Sequence, residues 1–111
     1  MIITIIGPMT GHPGYNADLF DAVELELSSQ GHTVFNPANN IPIVNPESVP
    51  HDHYLKISFA MIDCSDAVCM LFGWEKSPGA MLEYEYARKH GKGAFENGKS
   101  IYVTDDNVWR G

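Results

Sequence analysis

The sequence predicts a small three-layer α/β domain, doubly wound about a mainly parallel sheet of four to five strands. Three observations carry this. The apolar runs Ile2 to Ile6 and Ala67 to Phe72 are continuous rather than alternating, as in strands covered on both faces. Segments with apolar residues at helical spacing lie between the strand-like runs, bounded by Gly31 or by a Ser-Pro-Gly turn. Alternating strands and helices call for parallel pairing through right-handed crossovers. This is the pattern of flavodoxin-like and Rossmann-like architectures, in which a ligand sits beyond the carboxyl ends of the strands, where strand order reverses.

Each element has its own justification. Ile2 to Ile6 is β-branched, closes on Gly7-Pro8 and reads as a central strand. Asn16 or Asp18 can cap a helix to about Gln30, along which Leu19, Phe20, Val23 and Leu27 recur at helical spacing until Gly31 ends it. Thr33 to Phe35 is a short strand. The Pro/Asn-rich stretch NPANNIPIVNPESVP is long for a loop and is expected to serve as a lid or an oligomer contact. From about Asp52 to Cys64, Leu55, Phe59 and Ile62 or Asp63 mark a second amphipathic helix, followed by the Ala67 strand. A third helix runs from about Pro78 to His90. GKGAFENGKS reads as a Gly-rich turn region, and Ser100 to Val103 as a last strand before a polar tail. Met61, Met70 and Met81 stand at positions that suit core packing.

The 111 residues, 44% hydrophobic and 19% charged, suit one domain. A net charge of -7, with only seven Lys and Arg, argues against a surface that coats a nucleic acid polymer. A small anionic ligand is compatible with it if a local site supplies donors. Cys64 and Cys69 are five apart, at a helix end and inside a strand, an awkward placement for a disulfide. They read as reduced thiols in a cytoplasmic setting. The opening MIITIIGPMTG is apolar but uncharged and too short for a signal or a membrane span, so no membrane partner is expected.

Two loops matter most, GPMTGHPGYN after the first strand and GWEKSPGA after the Ala67 strand. SPGA opens a helix, so free N–H groups of the first turn and the Ser77 hydroxyl form a phosphate cradle, with Gly79 allowing close approach. The plainer alternative makes Ser77 an ordinary N-cap. Glu83 and Glu85 are two apart and cannot share a helix face, so one turns inward and the other to water. The spacing does not say which. Glu83 lies one and a half turns into the helix, where its carboxylate can meet a carbon of a ligand whose phosphate is held at the helix mouth. Carboxylates attack glycosidic carbons in retaining glycosyl transfer. The alternative is a solvated helix residue. Trp74 either stacks on a planar ring or packs on the next helix. Tyr15 and Asn16 stand beside the first loop, where they contact sugar or phosphate unless Asn16 simply caps the helix. His51 and His53 flank Asp52, but residues two apart diverge on a helix and no third ligand is evident, so no metal is expected.

In this order, IIGPMTGHPGYN, HTVFNPA and CSDAVCMLFGWEKSPGAMLEYEYARKHGK resemble the nucleoside 2-deoxyribosyltransferase-like superfamily, in particular a small, phage-rich branch labelled only as a domain of unknown function. The likeness covers nearly the whole chain, and GPMTG and GWE-S-GA-LE-A carry it jointly. It implies that Glu83 is a nucleophile, in the pattern Ser-x-Gly-x-x-x-Glu that Ser77, Gly79 and Glu83 reproduce, with Ala80 in the same turn. Relatives that hydrolyse deoxynucleoside 5'-monophosphates hold phosphate with the matching serine and glycine. The transferases of unphosphorylated nucleosides tend to have a carboxylate where Ser77 stands, so Ser77 favours a nucleotide. Gly7 and Gly11, with Pro8, Met9 and Thr10 between them, match the loop that lines the sugar and phosphate pocket. One departure is Ser58, which aligns with an aspartate of the relatives; neither Asp63 nor Asp66 is a clear replacement.

The resemblance thus implies an N-glycosidase, hydrolase or transferase, acting on the base-sugar bond of a (deoxy)nucleoside 5'-monophosphate, without cofactor or metal. It further implies a homo-oligomer, dimer or larger, in the cytoplasm, or in the host's cytoplasm for a phage-encoded chain. The rivals are a non-catalytic nucleotide binder, which Ser58 makes credible, and a deoxyribosyltransferase of unphosphorylated nucleosides. A phosphoribohydrolase of the lysine-decarboxylase-like kind would carry PGGxGTxxE, which is absent.

Overall fold

A computed structural model describes residues 1–40 and 51–97. Strands β1 (Ile2–Ile6), β2 (Thr33–Phe35), β3 (Ala67–Met70) and β4 (Gly93–Glu96) alternate with helices α1 (Ala17–Ser29), α2 (His51–Asp63) and α3 (Pro78–Lys89). All strand pairs are parallel, in the order β2-β1-β3-β4. Ile3 lies opposite Val34 on one side and Ala67 on the other, and Met70 opposite Glu96.

The continuous apolar runs serve two faces at once, because successive side chains of a strand point in opposite directions. Ile3, Ile5, Cys69 and Leu71 pack on Phe20, Val23 and Leu27 of α1. Ile6, Val68 and Met70 turn the other way, onto Ile62 of α2 and Ala80 and Ala87 of α3. Three layers result. α2 and α3 are joined further by the Phe59 and Tyr86 rings, stacked at 4.1 Å and 7°. Thr4, the polar residue of β1, is reconciled with burial by pairing its Oγ1 with Ser65 Oγ at 2.6 Å, and Ser65 also donates to the Met61 carbonyl.

The connection through α1 runs from β1 to one side of the sheet, and the later chain builds on the other. Strand order therefore reverses between β1 and β3, and the loops after these two strands share the crevice there. Backbone bonds continue the contact beyond the strands: Leu71 N–H donates to Ile6 O at 2.8 Å, and Asn97 N–H to Met70 O at 2.9 Å.

Several expectations change. Gly93–Glu96 is a strand, at the sheet's edge among the described residues, rather than part of a turn region, since it pairs in parallel with Ala67–Met70 and buries Ala94 with Ile62 and Ala87. The Ala67 strand stops at Met70, because Gly73 adopts a φ of 86° that starts a tight turn at Trp74–Lys76. Met81 is exposed rather than in the core, while Met70 is fully buried. Both cysteines are free, Cys69 buried and Cys64 exposed. Residues 41–50 of the Pro/Asn-rich stretch and the Ser100 to Val103 strand lie outside the described residues. Among the described residues, no helix is long and apolar enough to cross a membrane.

Candidate functional site

Beyond the carboxyl ends of β1 and β3 lies a cavity of about 1080 Å³. Its first wall is the loop Gly7, Pro8, Met9 and Thr10. Gly7 is required there by close approach: a Cβ would come within 2.8 Å of Leu71 Cβ. The loop then enters an uncommon backbone turn, with Gly14, Tyr15 and Asn16 all left-handed at φ 57°, 56° and 66°. Two consecutive non-glycine residues in this region cost stability, and such conformations cluster at functional sites. Asn16 holds the turn by donating from Nδ2 to the Pro8 carbonyl at 2.9 Å. Its side chain therefore does not cap α1, although Asn16 occupies the cap position. Tyr15 lines the cavity; Gly11 and Asn16 are not among the lining residues.

The opposite wall is the turn after β3 and the start of α3. Ser77 is the N-cap of α3, its Oγ accepting the Ala80 N–H at 3.2 Å, and the residue also lines the cavity with Gly79 and Ala80. Lys76 stands beside it at the same surface.

Glu83 lines the cavity, and Glu85, half-buried and not among the lining residues, pairs with Arg88 at 3.7 Å. The helix pair decides between them, since the face of α3 that carries Glu83 turns towards α2 and its Ser58. Glu83 keeps partial contact with the cavity, but protein surrounds its carboxyl on most sides. Loss of water pushes the pKa up to about 7, against an opposing hydrogen bond with the Ser58 hydroxyl. Ser58 is itself buried and lines the cavity. Neither nearby aspartate joins it. Asp66 accepts the Ile2 N–H at 2.7 Å at the other end of the sheet, and Asp63 accepts the Tyr86 hydroxyl at 2.7 Å.

Trp74 is 8% exposed. It packs with the α2 and α3 core, its ring 5.0 Å from Tyr84, and lines the cavity. Of its two expected roles, packing on the next helix is the one observed. Its Nε1 donates to Glu96 Oε1 at 3.3 Å.

Sequence reasoning passed over Tyr54, His12, Glu96 and Asn97, which also line the cavity. Tyr54 had a signal, lying one helical turn before Ser58 on the same face. Loss of water and, to a lesser degree, Tyr15 raise the pKa of its phenol above the ordinary value, and both tyrosines line the cavity. Glu96 and Asn97 had none while their strand was unrecognised. Among the described residues, no group of three His, Cys, Asp or Glu is arranged to hold a metal ion.

No curated protein matches the chain. A family model described as a domain of unknown function (DUF4406) matches residues 1–95, a span that takes in both cavity loops, Ser58, Ser77 and Glu83. The chain belongs to the DUF4406 family.

Proposed function

We propose that this protein binds a (deoxy)nucleoside 5'-monophosphate and cleaves its N-glycosidic bond, with Glu83 as the nucleophile. The observation that carries the proposal is the placement of the Glu83 carboxyl on the wall of a cavity whose other borders are the Gly7 to Thr10 loop and the N-terminus of α3. A ligand with an anionic tail at Ser77, Gly79 and Ala80 presents its sugar about one and a half turns further along α3, at Glu83. The first turn of α3 offers N–H groups and the positive end of its dipole to that tail, and Lys76 adds charge.

In the first step a Glu83 oxygen bonds to the anomeric carbon as the bond to the base breaks. Water, or a second base in a transfer reaction, then displaces Glu83. Only ionised Glu83 attacks. The Ser58 hydroxyl favours that form by donating to it, and the pKa near 7 leaves a substantial ionised fraction at neutral pH. Homo-oligomers and a cytoplasmic location accompany the proposal, on the resemblance and on the free thiols. The test is incubation with a panel of nucleoside monophosphates, following release of free base, with Glu83→Ala as the inactive control.

A second reading is favoured by one residue. Ser58 stands where the resembling enzymes carry an aspartate, which fits a protein that sequesters a nucleotide without cleaving it. Calorimetric titration separates the two: tight binding without base release, unchanged in Glu83→Gln, supports sequestration.

A further inference from the structure

We propose that Phe72 is the platform on which the base of the nucleotide stacks. The inference deepens the nucleotide reading above and rests on it, whether the ligand is cleaved or only held.

The phenyl ring is 92% exposed, more than any other large apolar side chain among the described residues, and it lines the same cavity as Ser77 and Glu83. Water covers it at a cost. Of the other phenyl, phenol and indole rings on that cavity, Phe20 and Trp74 are buried in the two core clusters, and Tyr15 and Tyr54 are half-buried. Phe72 thus offers a ligand nearly all of its surface, in the place of the Trp74 indole for which the sequence allowed this role.

The backbone explains the exchange. Trp74 N–H donates to Leu71 O at 3.1 Å and Gly73 has φ 86° and ψ 4°, the third position of a type II turn in which Phe72 stands at the second. Leu71 and Trp74, on either side of the turn, are buried, which leaves Phe72 at the outer corner. The corner is fixed. Leu71 N–H donates to Ile6 O at 2.8 Å, and a Cβ on Gly73 would stand 3.7 Å from Pro8 Cγ, so the turn packs on the first loop. The cradle at Ser77 follows after the single tight turn Trp74–Lys76. A ring on a hydrogen-bonded corner loses little but side-chain rotation when it is covered, and a nucleobase covers it with a planar face. Stacking reads no hydrogen-bond pattern, so the contact adds affinity for every base.

The test is calorimetric titration in the Glu83→Gln background, which removes the nucleophile and so keeps the ligand whole. The probes are nucleoside 5'-monophosphates and ribose 5-phosphate, which lacks the base and is measured directly or by displacement of a nucleotide. Adding Phe72→Ala is expected to weaken the nucleotides by about 5- to 150-fold and to leave ribose 5-phosphate unchanged. Phe72→Trp keeps a stacking face and holds nucleotide affinity at or above that of the background protein. The exposed ring packs in neither core cluster, so both variants should fold, with urea melts unchanged. Equal weakening of nucleotide and ribose 5-phosphate, or no weakening of either, overturns the platform and leaves the nucleotide reading standing. So does a change in self-association, seen by sedimentation, with nucleotide affinity unaltered, since the ring is then a contact between copies. If neither the parent chain nor Glu83→Gln binds any nucleoside monophosphate, the proposed function falls and this inference with it.

Discussion

The Ser58 hydroxyl of α2 hydrogen-bonds the Glu83 carboxyl of α3, across the helix pair that covers one face of the sheet. Burial raises the pKa of Glu83 and this bond holds it down. Removing the bond in Ser58→Ala should therefore raise the pKa further. Because the ionised form attacks, activity should climb with pH through about 7 in the parent. The climb should move about one pH unit higher in the variant. A pH-rate profile checks this, and so does carbon-13 titration of the glutamate carboxyls, which needs no turnover.

Stability should respond to the same group in the opposite direction. A carboxyl whose pKa is raised on folding, here from 4.5 to about 7, favours the folded state below 4.5 and loses that contribution as pH rises through 7. Glu83→Gln carries no such charge. It should be more stable than the parent by about 1–3 kcal/mol at pH 8 and nearly equal to it below pH 4.5. Urea denaturation of both proteins at the two pH values measures the difference.

Gly7→Ala should destabilise the protein by about 1–3 kcal/mol, because the added methyl meets the Cβ of buried Leu71 and no rotamer change moves that atom away. Leu71→Ala in the same chain should not rescue it, since Ala keeps the offending Cβ. Thermal or urea melts of the single and double variants decide.

Ser77→Ala removes the cap on the Ala80 N–H and should cost about 1 kcal/mol of stability. It should also weaken binding of a nucleoside monophosphate while leaving the matching unphosphorylated nucleoside unaffected. Calorimetry with the two ligands tests the assignment, and equal weakening of both counts against a phosphate role.

The sequence made the two central strands readable because Ile2 to Ile6 and Ala67 to Met70 are apolar at every position except Thr4, a signature that survives without knowledge of neighbours. β4 escaped because its four residues include Gly93 and Glu96 and are followed by Asn97-Gly98, so local composition resembled a turn and only pairing with β3 makes it a strand. Spacing alone left Glu83 and Glu85 undecided, since the outcome depends on where α2 packs. Asn16 looked like a cap from its residue type, but a left-handed backbone redirected its amide to Pro8. Ser58 looked like a gap in a constellation, and the fold shows it in contact with Glu83 instead.

β1 and β3 are hydrogen-bonded neighbours although a helix, a strand and a further helix separate them along the chain. The two loops that border the cavity consequently meet only after most of the polypeptide has been ordered, and half-assembled chains offer no receptacle. Any molecule that fits there discriminates finished copies from unfinished ones and draws the equilibrium towards the former.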